Sequence, residues 1–196
     1  MRTPPTTRVA IIAPMRNEAR HIGQFVRDIA AQDFDGTIAL VVADGESDDG
    51  SVDILREEAT RNGVAVRVLA NPRRIAPTGL NIALTAVDDA ELIVRMDCHS
   101  RYEPDYVRRC AQTADATGAW NVGGVVIPTG HTTMERAVAC AMDSPFGGIG
   151  WTRHAGAVEP VEVDTVTFGA FRPEAFAAAG HFDEYFVRNQ DDEFNL

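Results

Sequence analysis

With 196 residues the chain is long enough to bury one sizeable core, and it reads as a single domain. Its 18 Lys and Arg against 29 Asp and Glu leave a formal net charge of −11 with no basic run, which argues against a nucleic-acid backbone or an anionic membrane surface as the main partner. Cys98, Cys110 and Cys140 are odd in number and lack Cys-x-x-Cys spacing, which argues against a disulfide framework or structural zinc and fits a reducing cytoplasm. A phosphate ligand on such a chain needs a local device. A bound cation is the simplest, because it reverses the sign of the field at an acidic site.

The N-terminal stretch up to Arg8 is polar and Pro-rich, and the apolar run after it is too short for a signal core or a membrane span, so no segment is expected to cross a bilayer. Val9 to Ala13 reads as a buried strand closed by Pro14. Ile22, Phe25, Val26, Ile29 and Ala30 then follow the spacing of an amphipathic helix, with Asn17 as its expected cap. The segment between them lacks the Gly-x-Gly-x-x-Gly of a dinucleotide site, which disfavours NAD and FAD.

A second unit runs from the strand Ile38 to Ala43 through the acidic loop Asp44-Gly45-Glu46-Ser47-Asp48-Asp49-Gly50-Ser51 to a helix carrying Val52, Leu55 and Ala59. Carboxylates at that strand end suit a base N–H or ribose hydroxyls; Asp48, Asp49 and Ser51 read rather as caps of the following helix. Val64 to Leu69 alternates as a third strand and leads through Asn71 to Asn81 into a helix marked by Leu80, Ala83, Leu84 and Val87. Arg73 and Arg74, just before that helix, form the one cationic patch, facing either a phosphate or solvent.

Leu92-Ile93-Val94-Arg95-Met96-Asp97-Cys98-His99 is a fourth strand ending in Asp-x-His. Residues two apart on an extended backbone share a side, so Asp97 and His99 would grip one divalent cation if the strand persists that far, and the carboxylate–imidazole pair suits Mn²⁺ better than Mg²⁺. The alternative is a turn junction in which Asp is a turn former and His is incidental. Four βα units in a row imply an α/β fold with a largely parallel, helix-flanked sheet.

Further on, Pro104 marks a helix start with Val107, Cys110, Ala111 and Ala114 on its apolar face, and Trp120 to Ile127 reads as a strand whose Gly123 and Gly124 admit a ligand, another backbone or a bulge. Thr132 to Glu135 makes a capping box before a helix in which Met134 and Met142 are expected as core filler. Ser144 to His154, Gly-rich and aromatic, suits either a lid or a plain surface loop. His131, His154 and His181 have no ligand spacing and are read as non-catalytic. Val161 to Phe168 alternates as a strand, Pro173 opens a helix that Gly180 closes, and the acidic Gln190-Asp191-Asp192-Glu193 opens a last helix of about one turn, which its own hydrogen bonds hold poorly.

Taken in order, Ala13 to Glu18, Asp44 to Ser51, Asp97-Cys98-His99, Gly123-Gly124, Phe168 to Arg172 and Gln190 to Glu193 resemble the motifs of inverting family-2 glycosyltransferases with the GT-A fold. The likeness is strongest to bacterial exopolysaccharide glucosyltransferases of the succinoglycan type. It implies a single GT-A domain over 1–196, with 1–100 as the nucleotide-binding half, 101–196 as the acceptor-side half, and further segments beyond Leu196 that bring the protein near the inner face of a membrane.

The resemblance also implies roles. Asp44 would hold uracil or ribose, Pro14, Arg16, Asn17 and Glu18 would line the base pocket, and Arg74 and Asn81 would stand on the nucleotide side. Asp97 with His99 would carry Mn²⁺ (or Mg²⁺) against the diphosphate, His99 replacing the family's usual second Asp and making the site proton-sensitive. Asp191 would be the base that takes the acceptor proton, with Asp192 as fallback, and Gly169 and Asp192 would lie on the acceptor side. The expected reaction moves a sugar from a nucleotide sugar, UDP-glucose first, to a glycan or lipid-linked acceptor. The rival is a non-catalytic nucleotide-sugar-binding or assembly module; a nucleotidyltransferase would want a Gly-rich basic loop after the first strand, which is missing.

Overall fold

A computed structural model describes residues 8–130, 132–142, 159–187 and 190–195. In its first strand, β1 (Arg8–Met15), every residue from Val9 to Ala13 is buried, as a central strand covered on both faces requires. Val9, Ile11, Ala13 and Met15 project to one side, where they meet α1 (Ile22–Ala30), α2 (Ser51–Asn62) and α4 (Tyr106–Thr117) through Phe25, Val26, Leu55, Ala59, Val107 and Cys110. Ile12 projects to the other side, against Leu80 and Ala83 of α3 (Ala76–Leu84), Ala175 of α6 (Pro173–Ala179) and Phe182. Each large apolar side chain so buried contributes about 1.5–3 kcal/mol, which makes this three-layer core the main source of stability.

β2 (Thr37–Asp44), β3 (Ala65–Ala70), β4 (Leu92–Arg95), β5 (Asn121–Val122) and β6 (Ala170–Phe171) complete a six-stranded sheet in the order β3-β2-β1-β4-β6-β5. β1 to β4 run parallel, and β6 is antiparallel to both β4 and β5. Because β2 and β4 flank β1 on opposite sides, the chain reverses direction across the sheet there, and the loops leaving β1, β2 and β4 open at one edge. In open α/β sheets that crevice is where ligands bind. Gly79 lets α3 sit close to it: a Cβ there would lie 3.0 Å from Asn71 Nδ2 and 3.2 Å from Pro14 Cβ.

Several expectations change. The strand Trp120 to Ile127 shrinks to Asn121–Val122, because β6 offers only two residues to pair with and Gly123 and Gly124 are closely approached by Val166 and Tyr106 side chains. The strand Val161 to Phe168 is not formed; Val161 and Val163 are exposed, and Phe168 takes φ 56°, which ends any extended run. α5 (Thr133–Met142) does carry its capping box, with Thr132 N–H donating to Glu135 Oε2 at 2.9 Å and Glu135 N–H to Thr132 Oγ1 at 3.2 Å. None of its described residues is buried, however, and Met134 is 73% exposed rather than core filler. The Ser144 to His154 segment, His131 and His154 lie outside the described residues. No helix of the described residues is long and apolar enough to cross a membrane.

α7 (Gln190–Phe194) is held by its surroundings rather than by its own length. Phe194 packs on Phe171, Phe176 and Phe182 with ring centroids 5.4, 5.1 and 4.7 Å apart. Asn195, just after it, accepts from Asn121 Nδ2 at 2.6 Å and donates to the Asp191 carbonyl at 2.6 Å.

Candidate active site

Backbone N–H groups of the loop after β1 are laced to side chains of the loop after β2. Asn17 N–H donates to Ser47 Oγ at 2.9 Å, Glu18 N–H to Ser51 Oγ at 2.7 Å and Ala19 N–H to Asp49 Oδ2 at 2.9 Å. In return Asp48 N–H donates to Asn17 Oδ1 at 3.0 Å. Asn17 is therefore not the cap of α1, which begins at Ile22 after His21; with φ 55° it instead turns the chain across to the second loop. Asp49 and Ser51 act as the cap reading expects, since Asp49 Oδ1 accepts the Ser51 N–H that opens α2, and the pair also clamps the first loop. The Ser51 hydroxyl holds the Asp49 carboxyl below the usual carboxylate range.

Asp44 stands at the end of β2 with Oδ1 accepting from Ser47 Oγ at 2.6 Å and Oδ2 from Ser47 N–H at 3.2 Å. A carboxylate has about four acceptor positions, so capacity remains for a ligand N–H or hydroxyl. Arg16 lays its stem over Gly45. Arg74, at φ 60°, directs Nε and Nη2 to Glu46 Oε2, so a neighbouring anion meets its charge already paired. Arg73 pairs with Glu184. Asn81 is committed elsewhere: its amide nitrogen donates to the Phe182 carbonyl at 2.9 Å and to Glu184 Oε1 at 3.2 Å, and its oxygen accepts from Phe182 N–H at 3.0 Å.

β4 ends at Arg95, so Asp97 and His99 are not brought together by an extended strand. A turn does it, closed by Ser100 N–H donating to the Asp97 carbonyl at 3.1 Å and Tyr102 Oη accepting from Asp97 N–H at 2.7 Å. His99 Nδ1 lies 2.9 Å from Asp97 Oδ1 and 3.2 Å from Glu18 Oε1, which joins the third loop to the first. The Asp97 hydrogen bond, helped by Glu18, raises the half-exposed imidazole to about 9 against the penalty of burial. The turn is braced on α1 by Arg101, whose Nε donates to Asp28 Oδ2 at 2.7 Å. Burial pushes the Asp28 carboxyl up, but the Arg101 and Gln24 hydrogen bonds outweigh it and hold it low. Between the two acidic and basic residues Cys98 is buried with Sγ 3.6 Å from the Pro14 carbonyl, and burial pushes its thiol up, which makes it packing rather than a nucleophile.

Asp191 and Asp192 reach the other side of this edge on α7. Asp192 Oδ1 accepts from Thr165 Oγ1 at 2.9 Å, and Asp191 is buried against the guanidinium of Arg95. Gly169 is a close-approach position: a Cβ there would fall 2.1 Å from Asn121 Oδ1, and its carbonyl accepts Arg95 N–H at 2.9 Å. The geometry thus groups Pro14, Asn17, Glu18, Asp44, Asp97 and His99 through their loops, brings Asp191 to the C-terminal end of β4, and leaves Asn81 among the 182–184 residues. Arg95, Ser47 and Tyr102 had no role in the sequence reading. Arg95 did carry a signal there, as a charge inside an unbroken apolar run.

The architecture is that of a GT-A domain. The chain superposes on a mannosyltransferase from Pyrobaculum calidifontis solved with GDP-Man and Mn²⁺ (TM-score 0.71, 20% identity, 97% of this chain and 51% of that one). It also superposes on S. aureus TarS solved with UDP-GlcNAc (TM-score 0.66, 15% identity, 96% and 52%). Residues 10–158 match the model of glycosyl transferase family 2, and the chain belongs to that family. It is 33% identical over 191 residues to the succinoglycan biosynthesis protein ExoA of Rhizobium meliloti (strain 1021), covering 97% of this chain and 57% of that relative's length.

Proposed function

We propose that this chain is the donor-binding and catalytic part of an inverting glycosyltransferase. It would move a sugar from a nucleotide sugar, UDP-glucose first, to a glycan or lipid-linked acceptor at the inner face of a membrane. The observation that carries the reading is the meeting of Glu18, Asp97 and His99 beside the Asp44 loop, at the sheet edge where the strand order reverses.

Asp44, with Ser47 fixing both its oxygens, presents an acceptor to the base or ribose, and Pro14, Arg16, Asn17 and Glu18 wall the base pocket. Asp97 and His99 would hold Mn²⁺ (or Mg²⁺). The donor set fits a cation shared with substrate: among the described residues no group of three or more His, Cys, Asp or Glu is arranged as a closed cage, so phosphate oxygens and water would fill the other positions. Such a cation, when bound, draws off charge building on the departing diphosphate. Neutral imidazole is needed for that role, and the Asp97 contact favours the protonated form, so cation and proton compete for His99. Asp191 accepts the proton of the acceptor hydroxyl while that oxygen bonds to the anomeric carbon. The bond from that carbon to the diphosphate oxygen breaks, and its electron pair leaves on the nucleoside diphosphate.

The test is release of UDP by the full-length protein given UDP-glucose, Mn²⁺ and acceptor, with UDP binding followed by calorimetry. Asp97→Ala is expected to remove the metal-dependent part of UDP affinity. Binding without turnover leaves a nucleotide-sugar-binding module, and absence of binding removes the reading.

A further inference from the structure

Arg95 is 4% exposed, at the end of β4, in a strand otherwise made of apolar side chains. Its guanidinium carbon sits 5.0 Å from the centre of the Phe168 ring, its backbone N–H donates to the Gly169 carbonyl at 2.9 Å, and Nη1 faces Asp191 Oδ1. Nε and Nη1, and Asp191 Oδ1 opposite, make no hydrogen bond among the described residues, so the Arg95–Asp191 contact is an ion pair without hydrogen-bond geometry. Phe168 is itself pinned, at φ 56° with its carbonyl accepting from Tyr106 Oη at 3.0 Å.

Burying an arginine against one carboxylate and one ring is a poor way to stabilise a fold, since desolvation offsets most of the attraction and an apolar side chain of like size does as well. A guanidinium keeps its charge at neutral pH, so what Arg95 presents to Asp191 is a fixed positive charge. The partner it orders is Asp191, on a helix of five residues that cannot fix a side chain by itself.

We propose that Arg95 is a positioning residue for proton transfer: clamped by Phe168 and the β6 approach, its guanidinium orients the Asp191 carboxylate, leaving Oδ2 to take the acceptor proton. The inference rests on Asp191 being the base. A planar guanidinium stacked on a ring fixes direction in a way an ammonium does not. Gly169 and Phe168, on this account, act on catalysis through Arg95 rather than by touching acceptor.

Asp191→Asn, Arg95→Met and Arg95→Lys are compared in the full-length protein for kcat, donor KM and the Kd of UDP with Mn²⁺. Asp191→Asn should lower kcat by about 100-fold or more with UDP affinity unchanged. Arg95→Met should lower kcat by about 10- to 100-fold with Kd within about threefold, and Arg95→Lys should recover part of the loss, on the scale of a misplaced catalytic group. If Arg95→Met fails to fold, Arg95→Lys carries the test, a reduced kcat at wild-type Kd supporting the proposal and a wild-type kcat overturning it. A loss confined to Kd puts Arg95 on the donor side and also overturns it. Wild-type turnover by Asp191→Asn sinks the base assignment, whereas a dead Asp191→Asn beside an unaffected Arg95→Met sinks the positioning role alone. Independently of turnover, the unfolding midpoints of Arg95→Met, Asp191→Asn and the double variant should be non-additive; additivity would show the contact is absent.

Discussion

Replacing Ser51 by alanine removes one oxygen that serves two loops. Ser51 is fully buried at the start of α2; its Oγ accepts the Glu18 N–H at 2.7 Å and donates to Asp49 Oδ1. Alanine fits the same space, so no clash confuses the result, but the Glu18 N–H loses its acceptor in a half-buried position. A buried donor left unmatched costs about 1–3 kcal/mol, more than the mean worth of a hydrogen bond, because water is not there to replace the partner. Taking about 2 kcal/mol, and about 2–4 °C per kcal/mol for a domain of this size, the melting point should fall by about 4–8 °C. Because Glu18 also contacts His99, loosening its backbone should weaken UDP–Mn²⁺ binding in the same variant. Calorimetric melting and titration read both effects. A melting point within about 1 °C of wild type, or a normal UDP affinity despite the drop, would refute the idea that the laced loops set the site.

Gly169→Ala places a Cβ 2.1 Å from Asn121 Oδ1 and should destabilise by about 1–3 kcal/mol in urea unfolding; Gly118→Ala, where a Cβ meets open space but φ is 72°, separates crowding from backbone strain. Phe194→Ala should cost about 3–5 kcal/mol and release α7, so transfer should fall while UDP binding, at the far loops, is kept. The sign for His99 follows from its rise from 6.5 to about 9: its pairing with Asp97 stabilises the fold fully below pH 6.5 and is lost as pH climbs through about 9. Metal-free His99→Gln should therefore lower the melting point at pH 6 and have no effect at pH 10, and Mn²⁺ affinity of the wild type should rise by up to about tenfold per pH unit until about pH 9. A pH-independent Mn²⁺ affinity would mean that His99 does not ligate.

The parallel sheet was legible in the sequence because its signal is local. Apolar runs of the right length, closing near Pro14, Asp44, Asn71 and Asp97 and followed by helical spacing, fix four βα units whatever the rest of the chain does. Ala13 to Glu18 and Asp44 to Ser51 were visible as loops for the same reason, and parallel neighbours on β1 then force them together. The short strands were not legible. Val161 to Phe168 alternates over eight residues, yet pairing with β4 selects the two residues Ala170–Phe171, because a side chain at 169 would strike Asn121 and Phe168 turns out of the extended region.

The class of fold, and the residue types that meet where β1, β2 and β4 end, follow from local patterns along the chain. Which of those side chains are free to act was decided only by the tertiary structure. Asn81 stands in the right motif but closes on Phe182, Arg74 is paired to Glu46, and Asp191 meets an arginine that lies far from it in the chain. Periodicity and turn chemistry are properties of neighbours along the backbone, whereas the pairing of a buried charge depends on which distant carboxylate the packed core carries to it.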